Sequence, residues 1–219
     1  MSKTHAFLTK HRFLLLFLFL LATLVVYPHS ETNRFSYFAL RFAGSAVIVA
    51  SVYAVSMRHG VLLLLLALAA PVFVERIFLP EVRVGSPVII GIVVGFAFDL
   101  LVVVVLFRRV FTQRQTTSEM IFGALCIYLL LGFSFANVYH LLGVFAPNAF
   151  YLDPTVNIHV VPNRFDFVYY SFATITSLGA AGIVPVTPQA RSFTILEGIL
   201  GVLYLAVLVA RLIAAYRPE

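Results

Sequence analysis

Residues 165–185 read FDFVYYSFATITSLGAAGIVP. Asp166 stands where a helix would begin, because a carboxylate suits the exposed amides and the positive dipole end found there. From Phe167 to Ile175 the run presents aromatic and small faces. It falls well short of the roughly 20 residues that cross a bilayer. Thr176-Ser177-Leu178-Gly179-Ala180-Ala181-Gly182 follow as a non-helical segment, then Ile183-Val184-Pro185. Long apolar runs flank the stretch. In lipid, such a segment is tolerated only where it lines a water path or is buried in protein.

The rest of the chain supplies the lipid setting. Of its 219 residues, 62% are hydrophobic and 11% charged, and the mean hydropathy is +1.02. Soluble domains carry about 25% charged residues. Too little polar surface remains for a water-soluble globule, so the chain reads as an integral membrane protein. Its net charge of +6 reads as topological bias rather than as a nucleic-acid signal, and no nucleic-acid module is recognisable. The single cysteine, Cys126, lies in an apolar run and reads as a buried thiol. Lys3, Lys10 and Arg12 precede the apolar run 13–26, but Tyr27-Pro28-His29-Ser30 offers no small-x-small cleavage site, so a retained first span is expected.

Six spans are expected, at about 12–28, 37–57, 60–79, 86–108, 119–145 and 189–215. Lys and Arg placement favours both termini in the cytoplasm. That orientation puts the 146–188 insertion on the outer side. The fold class expected is an all-α membrane protein with six transmembrane helices and a re-entrant helix and loop between helices 5 and 6. The chain divides at the basic stretch 108–114 into a four-helix front module, 1–118, and a second module, 119–219 (helix 5, loop 165–185, inner helix 189–215). The front module is not a voltage sensor, which needs Arg at every third position; here Arg108 and Arg109 stand only at the inner end.

The order of these parts resembles the potassium-channel-like pore-loop proteins of the voltage-gated-like ion channel superfamily, in their small bacterial six-helix form. That family has an aromatic-rich pore helix, Thr-Thr-Val-Gly-Tyr-Gly-Asp, and a Val-Pro exit. Here the frame is Thr176-Ser177-Leu178-Gly179-Ala180-Ala181-Gly182, then Ile183-Val184-Pro185. Leu196-Glu197-Gly198 and 203–211 are similar to the family's inner helix. The plainer reading of 165–185 as an irregular loop is disfavoured by the sequential order of pore helix, filter frame and inner helix. The resemblance implies a homotetramer, since one pore loop cannot enclose a path. It also implies a bacterial inner membrane and, in the pore, a monovalent cation with potassium among the candidates, but no cofactor and no resident metal.

The filter departs from the pattern at three adjacent positions. Ala180 replaces the Tyr that braces the filter, Ala181 the second Gly, and Gly182 the Asp that pins the outer end. In a left-handed conformation Ala181 would cost about 1 kcal/mol per subunit. These changes argue against the usual narrow filter. In the inner helix, Gly201 matches the family's hinge glycine and Gly198 lies one turn before it; hinge and close packing are both open. Helical spacing from Gly201 turns Val202, Leu205, Val209 and Ile213 to the cavity, where an apolar gate would close by dewetting. Two intramembrane acids stand out. Glu197 could raise cation occupancy, though a carboxyl hydrogen-bonded behind the pore helix is favoured. Asp99 could pair with Arg41 or stay protonated. His140 and His159 near the outer vestibule are weak candidates for a metal or proton site. No enzyme motif is present.

The leading expectation is therefore the pore-forming subunit of a tetrameric channel with a wider, weakly selective cation filter. The alternatives are a non-conducting structural or regulatory subunit, co-assembling with filter-intact relatives, and a potassium-selective channel with an unusual filter conformation.

Overall fold

The computed structural model describes residues 11–26, 45–54, 59–78, 86–112, 117–179 and 182–215. Apolar sequence in these segments forms helices because each backbone group finds its partner within the helix. In chain order they are α1 (Arg12–Val26), α2 (Ser45–Ala54), α3 (His59–Phe78), α4 (Ser86–Thr112), α5 (Ser118–Phe145), the short strand β1 (Phe150–Leu152), α6 (Arg164–Ile175), β2 (Ile183–Pro185) and α7 (Pro188–Ala215). Among the described residues three helical stretches, Ile89–Thr112, Ser118–Phe145 and Pro188–Ala214, are long and apolar enough to cross a membrane; Arg12–Val26, Ser45–Ala54 and Leu62–Val72 are shorter apolar helices.

Two expected boundaries are corrected. The fourth helix runs on to Thr112 through Arg108 and Arg109, so the basic stretch is largely helical. Helix α6 begins at Arg164, three residues before Phe167, because Asn163 caps it. The all-α expectation holds, with one short ribbon added: β1 and β2 pair antiparallel, with Phe150 opposite Pro185, Tyr151 opposite Val184 and Leu152 opposite Ile183. The sequence between them offered turn residues but too few alternating positions to betray strands of this length.

Helix α5 is the spine. The helices α1, α4, α6 and α7 all pack on it, and α3 packs on α4. Thr117 caps α5 by accepting from the Met120 amide. Glu119 in its first turn accepts from the Phe13 amide at 3.2 Å, so one carboxylate serves the amino ends of two helices. One apolar core joins Leu16, Leu20, Val102, Leu106, Ile127 and Leu130 with Tyr204 and Leu208 of α7. A second gathers Tyr139, Phe150, Leu152, Phe167, Tyr170 and Ile183 around the ribbon and α6. In this second core the Phe150 ring stands edge-on to Tyr139, Phe167 and Tyr170, with centroids 5.2–5.6 Å apart.

Candidate functional site

The amino end of α6 is built from three polar side chains. Asn163 accepts from the Asp166 amide through its side chain, and Asp166 accepts in return from the Asn163 amide at 2.7 Å. This is a reciprocal capping box, with Asp166 at its third helical position. His159 Nε2 lies 2.8 Å from the same Asp166 Oδ2. His140 is elsewhere: it is in α5, with its ring stacked on Phe167 at 5.7 Å and its buried Nδ1 unpartnered among the described residues.

Helix α6 lies against α5 where α5 has no side chains. A Cβ at Gly132 would come within 2.8 Å of the Phe172 ring, and one at Gly143 within 2.7 Å of the Phe167 ring. Glycines let helices approach closely in lipid. Behind α6 sits Glu197 of α7, fully buried. Tyr139 of α5 donates its hydroxyl to Oε2 at 2.5 Å. Ser171 of α6 lies 2.5 Å from Oε1 and 2.7 Å from the Gly132 carbonyl oxygen. The carboxyl thus ties three helices together, and it lies behind α6 rather than on an exposed face.

Nearby contacts extend the same arrangement. Tyr170 and Thr194 share a hydrogen bond of 2.6 Å. Tyr128 donates to the Ile175 carbonyl at 2.9 Å, and Tyr204 to the Ala124 carbonyl at 2.6 Å. Gly201 is buried, and a Cβ there would run into the Ile175 carbonyl oxygen at the end of α6. Glu197, Gly201, Tyr204 and Leu208 form the buried stripe of α7. Nothing lies within 4 Å of a Cβ placed on Gly198. The helix runs unbroken through both glycines. Val202, Leu205, Val209 and Ile213 are 42–69% exposed within the single chain. By helical spacing they lie about 115° around α7 from the buried stripe.

After α6 the backbone changes hand. Thr176 is right-handed (φ −86°, ψ −1°), and Ser177 follows at φ 60°. Gly179 and Gly182 are also left-handed, at φ 81° and 87°. For Ser177 this costs about 1 kcal/mol, and hydrogen bonds oppose that cost. The Thr176 amide donates to the Phe172 carbonyl, the Ser177 amide to Thr174 and the Gly179 amide to Ala173. All these peptide bonds are trans. In a trans peptide the carbonyl points opposite to the following amide. The Thr176 and Leu178 carbonyls, which precede the Ser177 and Gly179 amides, therefore face away from the end of α6. Thr176, Ser177, Leu178 and Gly179 are all exposed. Ala180 and Ala181 lie outside the described residues.

At the far end, Gly182 is held by the loop after β1. Its carbonyl accepts from the Asp153 amide at 2.8 Å and from Asn157 Nδ2 at 2.9 Å. Asn157, Asn163, Tyr139 and Ser171 were not singled out by sequence reasoning for these roles. Asn163 alone carried a signal, because Asn followed by Asp three residues on resembles a capping box.

Asp99 meets Asn137 of α5, whose Nδ2 donates to Oδ2 at 3.2 Å. Arg41, its expected partner, lies outside the described residues. Among the described residues no group of three or more His, Cys, Asp or Glu side chains could hold a metal.

No curated protein and no solved structure matches the chain. The family model described as "Ion channel" matches residues 123–217, which run from α5 through α7. The part of the chain that holds α6 and the segment after it is therefore similar to ion channels.

Proposed function

We propose that the chain is the pore-forming subunit of a tetrameric, weakly selective cation channel, with its path running past residues 176–182. The observation that carries this is the segment after α6. Its amides turn back to the carbonyls of the pore helix, which leaves the Thr176 and Leu178 carbonyls on the exposed side. Rings of backbone carbonyls replace an ion's water shell, and the number of such rings bears on selectivity. The Gly182 carbonyl already accepts two hydrogen bonds from its own chain. A carbonyl has two lone pairs, so this one has none left for an ion. Fewer rings support weaker discrimination than the family's full filter gives. The carboxy-terminal end of α6 adds partial negative charge that favours cations over anions. Four copies would enclose the path, with Val202, Leu205, Val209 and Ile213 lining the cavity and acting as an apolar gate. Glu197 serves as a brace for the pore helix rather than as an ion site.

Flux from liposomes under potassium, sodium and chloride gradients tests the proposal. Cation flux with little preference for potassium, and none for chloride, is the expected result. Ala180→Tyr with Ala181→Gly should then sharpen potassium preference. Gly182 is left alone in that variant, because its φ of 87° and its contact with Val156 and Asn157 leave no room for a side chain. No flux from the native protein, with flux from the variant, would overturn this reading in favour of a non-conducting subunit.

A further inference from the structure

Gly182 is the first described residue after Ala180 and Ala181, and Asp153, Val156 and Asn157 of the loop between β1 and α6 close around it. Asn157 Nδ2 has two hydrogens, and both are used: one on the Gly182 carbonyl and one on the Asp153 carbonyl, each at 2.9 Å. The Asp153 amide reaches the same Gly182 oxygen at 2.8 Å, continuing the pairing of the ribbon one step beyond Leu152 and Ile183. The Asp153 side chain fixes its own turn by accepting from the Thr155 amide and hydroxyl. A Cβ on Gly182 would collide with Val156 Cγ2 and lie 2.8 Å from Asn157 Nδ2, so the loop closes directly over a bare backbone.

We propose that Asn157 is the positioning residue for the outer end of the ion path, clamping the Gly182 carbonyl away from it and to the outer loop. This rests on the channel reading above and deepens it. At this position the sequence lacks an acidic side chain that could pin the filter from within, and the restraint comes from a neighbouring loop instead. An amide suits the task because it supplies two donors at one nitrogen. A carboxylate of the same shape supplies none and would face two carbonyl oxygens.

The test compares Asn157→Asp and Asn157→Ala with Thr155→Ala, which loosens the same loop without touching Gly182. The first readout is amide hydrogen exchange of the peptide spanning 178–184 in the full-length protein. Losing the clamp should speed exchange there about five- to tenfold, while Thr155→Ala leaves it unchanged. The second readout is flux of tetramethylammonium relative to potassium in liposomes, expected to rise about threefold or more with Asn157→Asp and to stay level with Thr155→Ala (as expected for one hydrogen bond per subunit). Unchanged exchange at 178–184 in both Asn157 variants overturns the clamp. So does an equal response from Thr155→Ala, which would mean general loop loosening. If the native protein passes no cation, the channel reading falls, and the exchange arm alone then decides whether Asn157 holds Gly182.

Discussion

The two parts of the chain are held together differently. Between Ser118 and Ala215, buried polar groups fasten one element to the next: Glu197 joins α5, α6 and α7, and Asp166 closes the cap of α6. Among the described residues of α1 to α4 the buried groups are almost all hydrocarbon. The buried polar residues there are Thr23, which donates to the Phe19 carbonyl of its own helix, and Ser51, whose hydroxyl is unpartnered among the described residues. The front helices still have polar ties; apart from the mid-helix bond between Asp99 and Asn137, these run to backbone at helix ends. Arg109 donates to the Ala54 carbonyl at 3.1 Å, and Cys126 donates weakly to the Phe13 carbonyl at 3.4 Å. Apolar packing in lipid is a weak guide to register, because a lipid tail is as good a neighbour as a leucine. Hydrogen bonds are directional, and a helix that must hold a non-helical segment in place needs that precision.

Glu197→Ala should give the largest effect and would break the contrast if it did not. It strands the Tyr139 hydroxyl and empties a buried site, at a cost of about 3 kcal/mol. Glu197→Gln keeps an acceptor for Tyr139 and a donor for Ser171, so it should lose about 1 kcal/mol or less. Thermal unfolding in detergent would show both. Gly201→Ala comes next, at about 2 kcal/mol, because its Cβ drives α7 off the Ile175 carbonyl. Gly198→Ala meets no neighbour within the chain, and improved helix propensity should stabilise it by up to about 1 kcal/mol. Equal losses at the two glycines would mean that packing on α6 does not distinguish them.

Arg109→Ala probes the other side of the comparison. It removes the bond to Ala54 and the contact of the guanidinium with the Phe13 ring, 5.3 Å away. About 1 kcal/mol should be lost, with ion preference unchanged because the pore half keeps its own fastenings. A shift in selectivity would show that the two parts are more tightly coupled than their bonding suggests. The smallest effect concerns pH. Thr155 donates twice to the exposed Asp153 carboxylate and holds its pKa below the ordinary 3.8. A depressed folded pKa gives stability that is present above the ordinary value and lost as pH falls through the folded one. Hydrogen exchange of the 153–157 turn, corrected for its intrinsic pH dependence, should therefore stay constant from pH 7 to pH 5 (well above the range where this group titrates) and quicken only below the ordinary value.

Much of the carboxy-terminal half could be read from residue order. The short aromatic run to Ile175, the break at Thr176 and the return to an apolar helix were all visible, as was the use of Asp166 at the start of α6. The exit strand and its partner were not, since three residues per strand hold little periodicity. Glu197 was recognisable as an acid in lipid, but its partners lie 26 and 58 residues away in sequence. Gly201 was legible only as a choice between hinge and packing. The Ile175 carbonyl beside it supplies a packing reason that no helical count could anticipate.

Hydropathy and charge, which are local sums along the chain, determined by themselves that this is a membrane protein with a short aromatic helix and a glycine-bearing loop between two long apolar helices. Tertiary structure alone decided which polar atoms meet: Tyr139 and Ser171 at Glu197, Asn137 at Asp99, Asn157 at Gly182. Those meetings depend on helix crossing and loop closure, where a displacement of about 1 Å makes or breaks a hydrogen bond. No one-dimensional pattern carries distances that fine.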